Sequence, residues 1–188
     1  PARTVDIDAD DAKAWKGLQL LTTKPVLFVA NVDEDAAATG NAYAERVAAR
    51  AAEEGAASIV ISAKIEAELA QLDDDEQSEY LETLGLEEPG LNRLIREGFA
   101  LLGLKTYFTA GPKEARAWTF RAGATAPQAA GVIHTDFERG FIRAETITYE
   151  DYVALGGESG AKDAGKMRLE GKEYIVEDGD VMLFRFNA

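Results

Sequence analysis

The sequence has no cysteine and only one histidine. Without cysteine there is no thiol nucleophile, no zinc-thiolate or iron–sulfur site and no disulfide framework. One histidine excludes a His-rich metal site. The fold therefore rests on packing alone, and a chain of 188 residues is long enough for that, since it can bury roughly 70% of its unfolded surface. No apolar run approaches the ~20 residues of a membrane-spanning helix, so no membrane partner is expected. Pro1-Ala2-Arg3-Thr4-Val5-Asp6 has neither a basic start nor an apolar stretch and does not read as a signal peptide. A reducing, cytoplasmic setting is the expectation, and the missing initial Met points to processing or truncation.

Positive charge is also scarce. Twenty Lys and Arg stand against 34 Asp and Glu, a net charge of −14. Such a field repels phosphate backbones unless the basic residues are segregated. They partly are: residues 1–104 hold 9 basic and 21 acidic residues, whereas residues 105–188 hold 11 and 13. The asymmetry suggests two modules, with any nucleic-acid contact in the second. At 46% hydrophobic residues the chain is globular.

The pattern along the chain is α/β. Asp8 and Asp10 are candidate caps for a helix reaching about Leu21. Val26 to Ala30 is an unbroken apolar run, typical of a strand covered on both faces. A helix over Asn41 to Glu54, stopped by Gly55, leads to a second buried strand at Ser58 to Ile61. This is a βαβ unit, and ligands in such sheets sit at the carboxyl ends of the strands. Two polar loops lie there, Asn31-Val32-Asp33-Glu34 and Ser62-Ala63-Lys64. Ile65 and Leu69 begin a helix. Asp73 to Glu76 reads as a solvated turn and helix start, since a calcium loop needs a defined ligand spacing with a Gly. Leu91, Leu94, Ile95, Phe99 and Leu102 form the strongest helical stripe, closed by Gly103.

Beyond Lys105 the pattern becomes ββαβ, a helical insert, then ββ. Gly111-Pro112 marks a hairpin between strands at Thr106–Thr109 and Ala115–Phe120. Thr125-Ala126-Pro127-Gln128 is a capping box opening a helix to about Glu138. Phe141 to Thr148 is a strand and Tyr149 to Leu155 a short helix. Two last strands, Glu173–Val176 and Val181–Phe186, flank the hairpin signal Asp178-Gly179. A small mixed sheet gripping one helix, a β-grasp arrangement, fits this order.

Three motifs invite chemistry. Gly160 to Met167 matches G-x-x-x-x-G-K, but Met167 stands where a phosphate-binding loop needs Ser or Thr for magnesium, and a basic loop or short helix is the better reading. His134-Thr135-Asp136 lacks a nucleophile; His134 lies near a helix C-terminus, where a partly charged imidazole meets the negative dipole end. Asn31 and Glu34, three apart at the end of a buried strand, can read a purine edge. The Asn braces the loop, the carboxylate accepts from base nitrogens, and Ser62-Ala63-Lys64 can offer backbone N–H groups to the same base. The competing reading is an ordinary solvated loop with Asn31 as a turn residue. Lys162, Lys166, Arg168 and Lys172 lie close together. With Arg116, Arg121, Arg139 and Arg143 they could form a basic face, and Tyr107, Trp118 and Phe120 are either stacking surfaces for bases or core.

Several stretches together resemble the YchF-type Obg-like ATPases. They are Asn31-Val32-Asp33-Glu34-Asp35, Gly85-Leu86-Glu87-Glu88-Pro89-Gly90-Leu91-Asn92, Thr106-Tyr107-Phe108-Thr109-Ala110-Gly111, Gly123 to Ala130, His134-Thr135-Asp136-Phe137, Gly140 to Ala144 and Asp178-Gly179-Asp180-Val181. The resemblance runs from about Thr22 to Ala188. It implies a ribosome-associated P-loop NTPase that uses ATP, or GTP, with magnesium. Residues 1–24 would be the end of a helical hairpin, 25–104 the C-terminal part of the nucleotide-binding G domain, and 105–188 a β-grasp TGS domain. Carried over, Asn31 and Glu34 read the base, with Glu34 favouring adenine, and Ser62, Ala63 and Lys64 form the second base-contacting loop. Ribosome or ribosomal RNA would be met by Lys162, Lys166, Arg168 and Lys172. The family's phosphate-binding loop, magnesium ligands and switches have no counterpart in this sequence. The missing N-terminal half of the domain is thus an expected partner, and this chain is not expected to hydrolyse nucleotide alone. The alternative is a non-enzymatic TGS-type module that binds RNA or protein.

Overall fold

The computed structural model describes residues 2–187. The chain divides into two compact units, the first ending at Leu102 and the second starting at Gly103, and together they make a mixed α/β chain.

In the first unit a short helix α1 (Ala12–Gly17) precedes strand β1 (Leu27–Asn31), helix α2 (Ala42–Glu53), strand β2 (Ala57–Ile61) and helices α3 (Ala63–Leu69), α4 (Asp74–Thr83) and α5 (Gly90–Leu102). β1 and β2 are parallel, with Leu27 opposite Ala57 and Asn31 opposite Ile61. The Ala-rich segment is helical because alanine has the highest propensity, and Asn41 starts it. The Asn41 side-chain oxygen accepts from the Tyr43 and Ala44 N–H groups, each at 3.0 Å. The acidic run behaves as a helix start: Asp73 and Glu76 exchange hydrogen bonds in a capping box ahead of α4. The core is small, built from Ala37, Ile65, Leu69 and Leu81. With only two strands in the sheet, the apolar run of β1 is only partly covered, and Val29 stays exposed.

The helix expected from Asp8 to Leu21 is corrected. α1 has six residues, Asp11 rather than Asp8 or Asp10 stands at its N-cap, and no side chain caps it. A helix this short is held only by packing, and Leu18 and Leu21 find none, being exposed.

The second unit runs β3 (Leu104–Ala110), β4 (Ala115–Arg121), helices α6 (Ala126–Ile133) and α7 (Thr135–Arg139), β5 (Phe141–Thr148), helices α8 (Tyr149–Ala154) and α9 (Glu158–Asp163), β6 (Arg168–Glu170) and β7 (Asp180–Phe186). Five strands form one sheet in the order β4-β3-β7-β5-β6. β3 and β7 are parallel; the other pairs are antiparallel. Gly103 opens the unit at φ +61°, a left-handed position that stops α5 and that a Cβ would strain. Ala126, Ala129 and Ala130 of α6 are fully buried in one core with Tyr107, Phe120, Phe141, Met182 and Phe184 of the sheet. Small side chains on the helix let it approach closely while the sheet supplies the aromatic volume.

Four expectations change here. The helix opened by the capping box breaks at His134, which is extended at φ −161° and ψ 143°. The His134 Nδ1 accepts from the Asp136 N–H at 3.2 Å, so the imidazole also begins α7, meeting an unsatisfied N–H as well as ending α6. Glu173–Val176 is not a strand; only Ile175 bridges, to Thr125. Asp178-Gly179 is accordingly not a hairpin turn. Asp178 Oδ1 accepts from the Thr106 N–H at 2.7 Å and the Gly179 N–H donates to the Thr106 carbonyl at 2.8 Å, which steers β7 in beside β3. β6 was not foreseen, since three residues are too few to show a period.

Candidate functional site

The carboxyl ends of β1 and β2 carry the two polar loops, and the structure brings them together. The Val32 N–H donates to the Ile61 carbonyl at 2.9 Å, carrying the parallel ladder past the strand ends. The Asn31 Oδ1 then accepts from the Ala63 N–H at 2.9 Å. Ala63 is the first residue of α3, whose leading N–H groups have no partner inside the helix. Ser62 occupies the N-cap position without making a side-chain cap. Asn31 supplies the missing acceptor from the other loop, so one side chain both caps α3 and locks the loops. Its amide NH2 has no partner among the described residues.

Glu34 lies three residues on, in the single turn Glu34–Ala36. Its Oε2 accepts from Lys64 Nζ at 2.6 Å. That hydrogen bond, together with the attraction of the Glu34 charge, holds the Lys64 ammonium above its ordinary pKa. On a helix Lys64 would ordinarily pair with Glu68, four residues on. The Tyr80 hydroxyl donates to Glu68 instead, and Lys64 crosses to Glu34. The bond to Glu68, then burial, push the Tyr80 phenol upward. Ser62 is 3% exposed, and its Oγ has no hydrogen-bond partner. A buried hydroxyl without a partner is costly. Next to this corner an open cleft of about 370 Å³ is lined by Asn31, Val32, Asp33, Asn41, Tyr43 and Val47, among others.

The floor beneath is rigid for a reason sequence reading missed. Glu66 accepts from the Gly90 and Leu91 N–H groups at 2.8 and 3.0 Å, capping α5 from α3. A Cβ on Gly90 would meet Ile61 at 2.8 Å, so only glycine fits there. Arg93 donates to the Val60 carbonyl at 3.1 Å. The signal available was Gly90 at the head of the strongest helical stripe.

In the second unit Lys162, Lys166, Arg168 and Lys172 are all exposed. Lys166 pairs with Asp151 at 3.4 Å. Arg168, itself 45% exposed, reaches Asp180, which is 2% exposed, and donates to it at 3.2 Å. Asp180 also accepts from the Tyr174 hydroxyl at 2.7 Å and the Glu177 N–H at 3.0 Å. Tyr107 and Phe120 are core, and the Arg116 guanidinium stacks on Trp118 at 4.5 Å. Among the described residues no group of three or more His, Cys, Asp and Glu could hold a metal ion, and no helix is long and apolar enough to cross a membrane.

Known proteins resemble this chain. Residues 104–187 match the family YchF-GTPase_C, described as "Protein of unknown function (DUF933)". The chain is 60% identical over 186 residues to the ribosome-binding ATPase YchF of Haemophilus influenzae, covering 99% of this chain and 51% of that protein. It is 57% identical over 190 residues to the ribosome-binding ATPase YchF of Bacillus subtilis, covering 100% and 52%. The structure of the Schizosaccharomyces pombe YchF GTPase superposes with a TM-score of 0.84 at 35% identity, over 98% of this chain and 50% of that one. The chain thus spans about half the length of the curated relatives it matches.

Proposed function

We infer that this chain, which belongs to the YchF-type family of Obg-like ATPases, reads the purine of ATP in its first unit and carries a ribosome- or RNA-binding TGS module in its second. Residues 1–24 would end a helical hairpin, 25–104 close a nucleotide-binding G domain, and 105–188 form the TGS domain. The bond from the Ala63 N–H to Asn31 carries the reading, because it makes one rigid corner of two loops that an ordinary solvated turn would leave apart. Asn31 keeps its amide donor for an acceptor on the base, and Glu34 offers a carboxylate oxygen to a base amino group. Ser62 and the Ala63–Lys64 backbone complete the corner. The residues present fit the base and not the triphosphate: neither a phosphate-cradling glycine loop nor a magnesium-binding set lies among them. Magnesium bound to ATP would neutralise the charge that develops on the phosphates; its ligands would come from the other half of a protein as long as the relatives. The relatives' naming as ribosome-binding ATPases supports a cytoplasmic setting and a ribosomal partner. Lys162 and Lys172, exposed and without ion pairs among the described residues, are the contacts favoured on the second unit.

The test is nucleotide preference in a protein of the relatives' full length that contains this chain. Glu34→Asp withdraws the acceptor by one methylene, and the ATP-over-GTP affinity ratio should fall about tenfold. An unchanged ratio would remove base reading from Glu34. Ribosome sedimentation over a salt series tests the second unit: replacing Lys162 and Lys172 by Glu should weaken binding and flatten its salt dependence.

A further inference from the structure

The hydrogen-bonding edges of the two purines differ in a way that a carboxylate can sense. Guanine presents two neighbouring donors, N1–H and the N2 amino group, and a carboxylate with both oxygens free accepts from both. Adenine presents one donor, the N6 amino group, beside one acceptor, N1. An ionised Glu alone is an acceptor-only group and so has the pattern for guanine. Glu34 is not alone. Its Oε2 is occupied by Lys64 Nζ at 2.6 Å. The two residues come from different loops, which the Asn31–Ala63 bond holds in register. Glu68, the alternative partner on the same helix, is taken by the Tyr80 hydroxyl.

We propose that Lys64 is the specificity-determining residue of the base corner: by occupying one oxygen of Glu34 it turns a double acceptor into an acceptor beside a cationic donor, the complement of adenine. The proposal rests on the base-reading role of Glu34 inferred above and names the group that sets the sign of that role. Guanine finds Oε2 already engaged by an ammonium and meets a like donor beside it. Bringing two donors face to face costs more than a missing apolar contact, so one ammonium biases the choice. The pair is exposed, Lys64 by 66% and Glu34 by 38%, and contributes little to fold stability, so its removal leaves the scaffold standing.

The experiment measures ATP and GTP dissociation constants in a protein of the relatives' full length carrying Lys64→Met, Lys64→Arg or Glu34→Gln. The triphosphate contributes equally to both nucleotides, so the ratio isolates the base. Lys64→Met should release Glu34 Oε2, weaken ATP and strengthen GTP, lowering the ATP/GTP ratio by about tenfold or more. Lys64→Arg, which keeps the cationic donor, should retain most of the preference. A ratio unmoved by Lys64→Met while Glu34→Gln alters it would overturn the role of Lys64 and leave base reading intact. A ratio unmoved by both would overturn the two together.

Discussion

The two units bury their apolar residues to very different degrees. In the second, ten buried residues, nine from four strands and one helix and the tenth Val176, form a single core, with Tyr107 and Phe184 in edge contact at 5.7 Å; beside it Phe137 stacks on Phe186 at 3.8 Å. In the first, four buried residues lie under α3 and α4, while Val29, Leu91, Ile95 and Leu102 are 45–54% exposed. The polar corner at Asn31 and Glu34 therefore sits on a scaffold with open apolar faces, whereas the second unit closes over its aromatic core. The hydrogen bonds of this corner form on a sparsely packed scaffold, because each bond is short-range while a core is built from many contacts.

The contrast breaks most visibly at Tyr107. Its ring is fully buried against Phe120 and Phe184, and its hydroxyl donates to the Ala129 carbonyl at 2.9 Å. Tyr107→Ala should cost about 3–5 kcal/mol in a urea titration, whereas Tyr107→Phe should cost about 1–2 by leaving that carbonyl unpaired. Leu91→Ala, on the open face of α5, should change stability by no more than about 0.5 kcal/mol. Equal costs at Tyr107 and Leu91 would mean that the first unit is as well packed as the second.

Asp180 comes next. Its carboxylate gathers Arg168, the Tyr174 hydroxyl and the Glu177 N–H in a buried place. Burial, then the bond to Asp180, lift the Tyr174 phenol above its ordinary range. Asp180→Ala takes this acceptor from the Tyr174 hydroxyl and the Glu177 N–H, while Arg168 keeps Tyr174 and Glu170, and should cost about 2–3 kcal/mol by urea denaturation. Asp180→Asn, which keeps an acceptor, should cost less.

How much of this was legible beforehand follows the range of the interactions. The βαβ unit, the Asn41–Glu54 helix, the Thr125 capping box and the Gly111-Pro112 hairpin rest on local spacing and local caps, and each was readable. So were the two loops as neighbours, since parallel strands joined by one helix place their carboxyl ends side by side. The break at His134 was not readable, because a run of Ala, Gly, Val and Ile carries no stop signal there. Nor was the pairing of Glu34 with Lys64 rather than Glu68 with Lys64, which depends on Tyr80 arriving from another helix. Arg168 is exposed like the other cations, but only the fold reveals the buried Asp180 that it reaches.

The corner itself supplies a smaller effect. Asn31→Ala removes one hydrogen bond and leaves the leading N–H of α3 unpaired at an exposed position. A stability loss of about 1 kcal/mol is expected, together with faster hydrogen exchange at the Ala63 amide. Asn31→Asp keeps the acceptor and should protect that amide. If the Ala63 amide exchanges equally in all three proteins, the loops are not tied by this bond.

The smallest effect concerns the far end of the same unit and is read by pH. Arg3 and then Arg50 hydrogen-bond Glu54 and lower its pKa from the ordinary 4.5. A carboxyl depressed in the folded state stabilises fully above its unfolded pKa and loses that contribution as pH falls through the folded value. The window therefore lies below about pH 5, and nothing should change at neutral pH as this group titrates. Arg3→Ala removes the larger cause. The acid unfolding midpoint of the first unit should then move upward, by a shift resolvable in far-UV circular dichroism between about pH 6 and pH 2. The second unit contains neither partner and should keep its acid midpoint. A matching shift in both would show that the two units unfold as one, which is the outcome their unequal cores argue against.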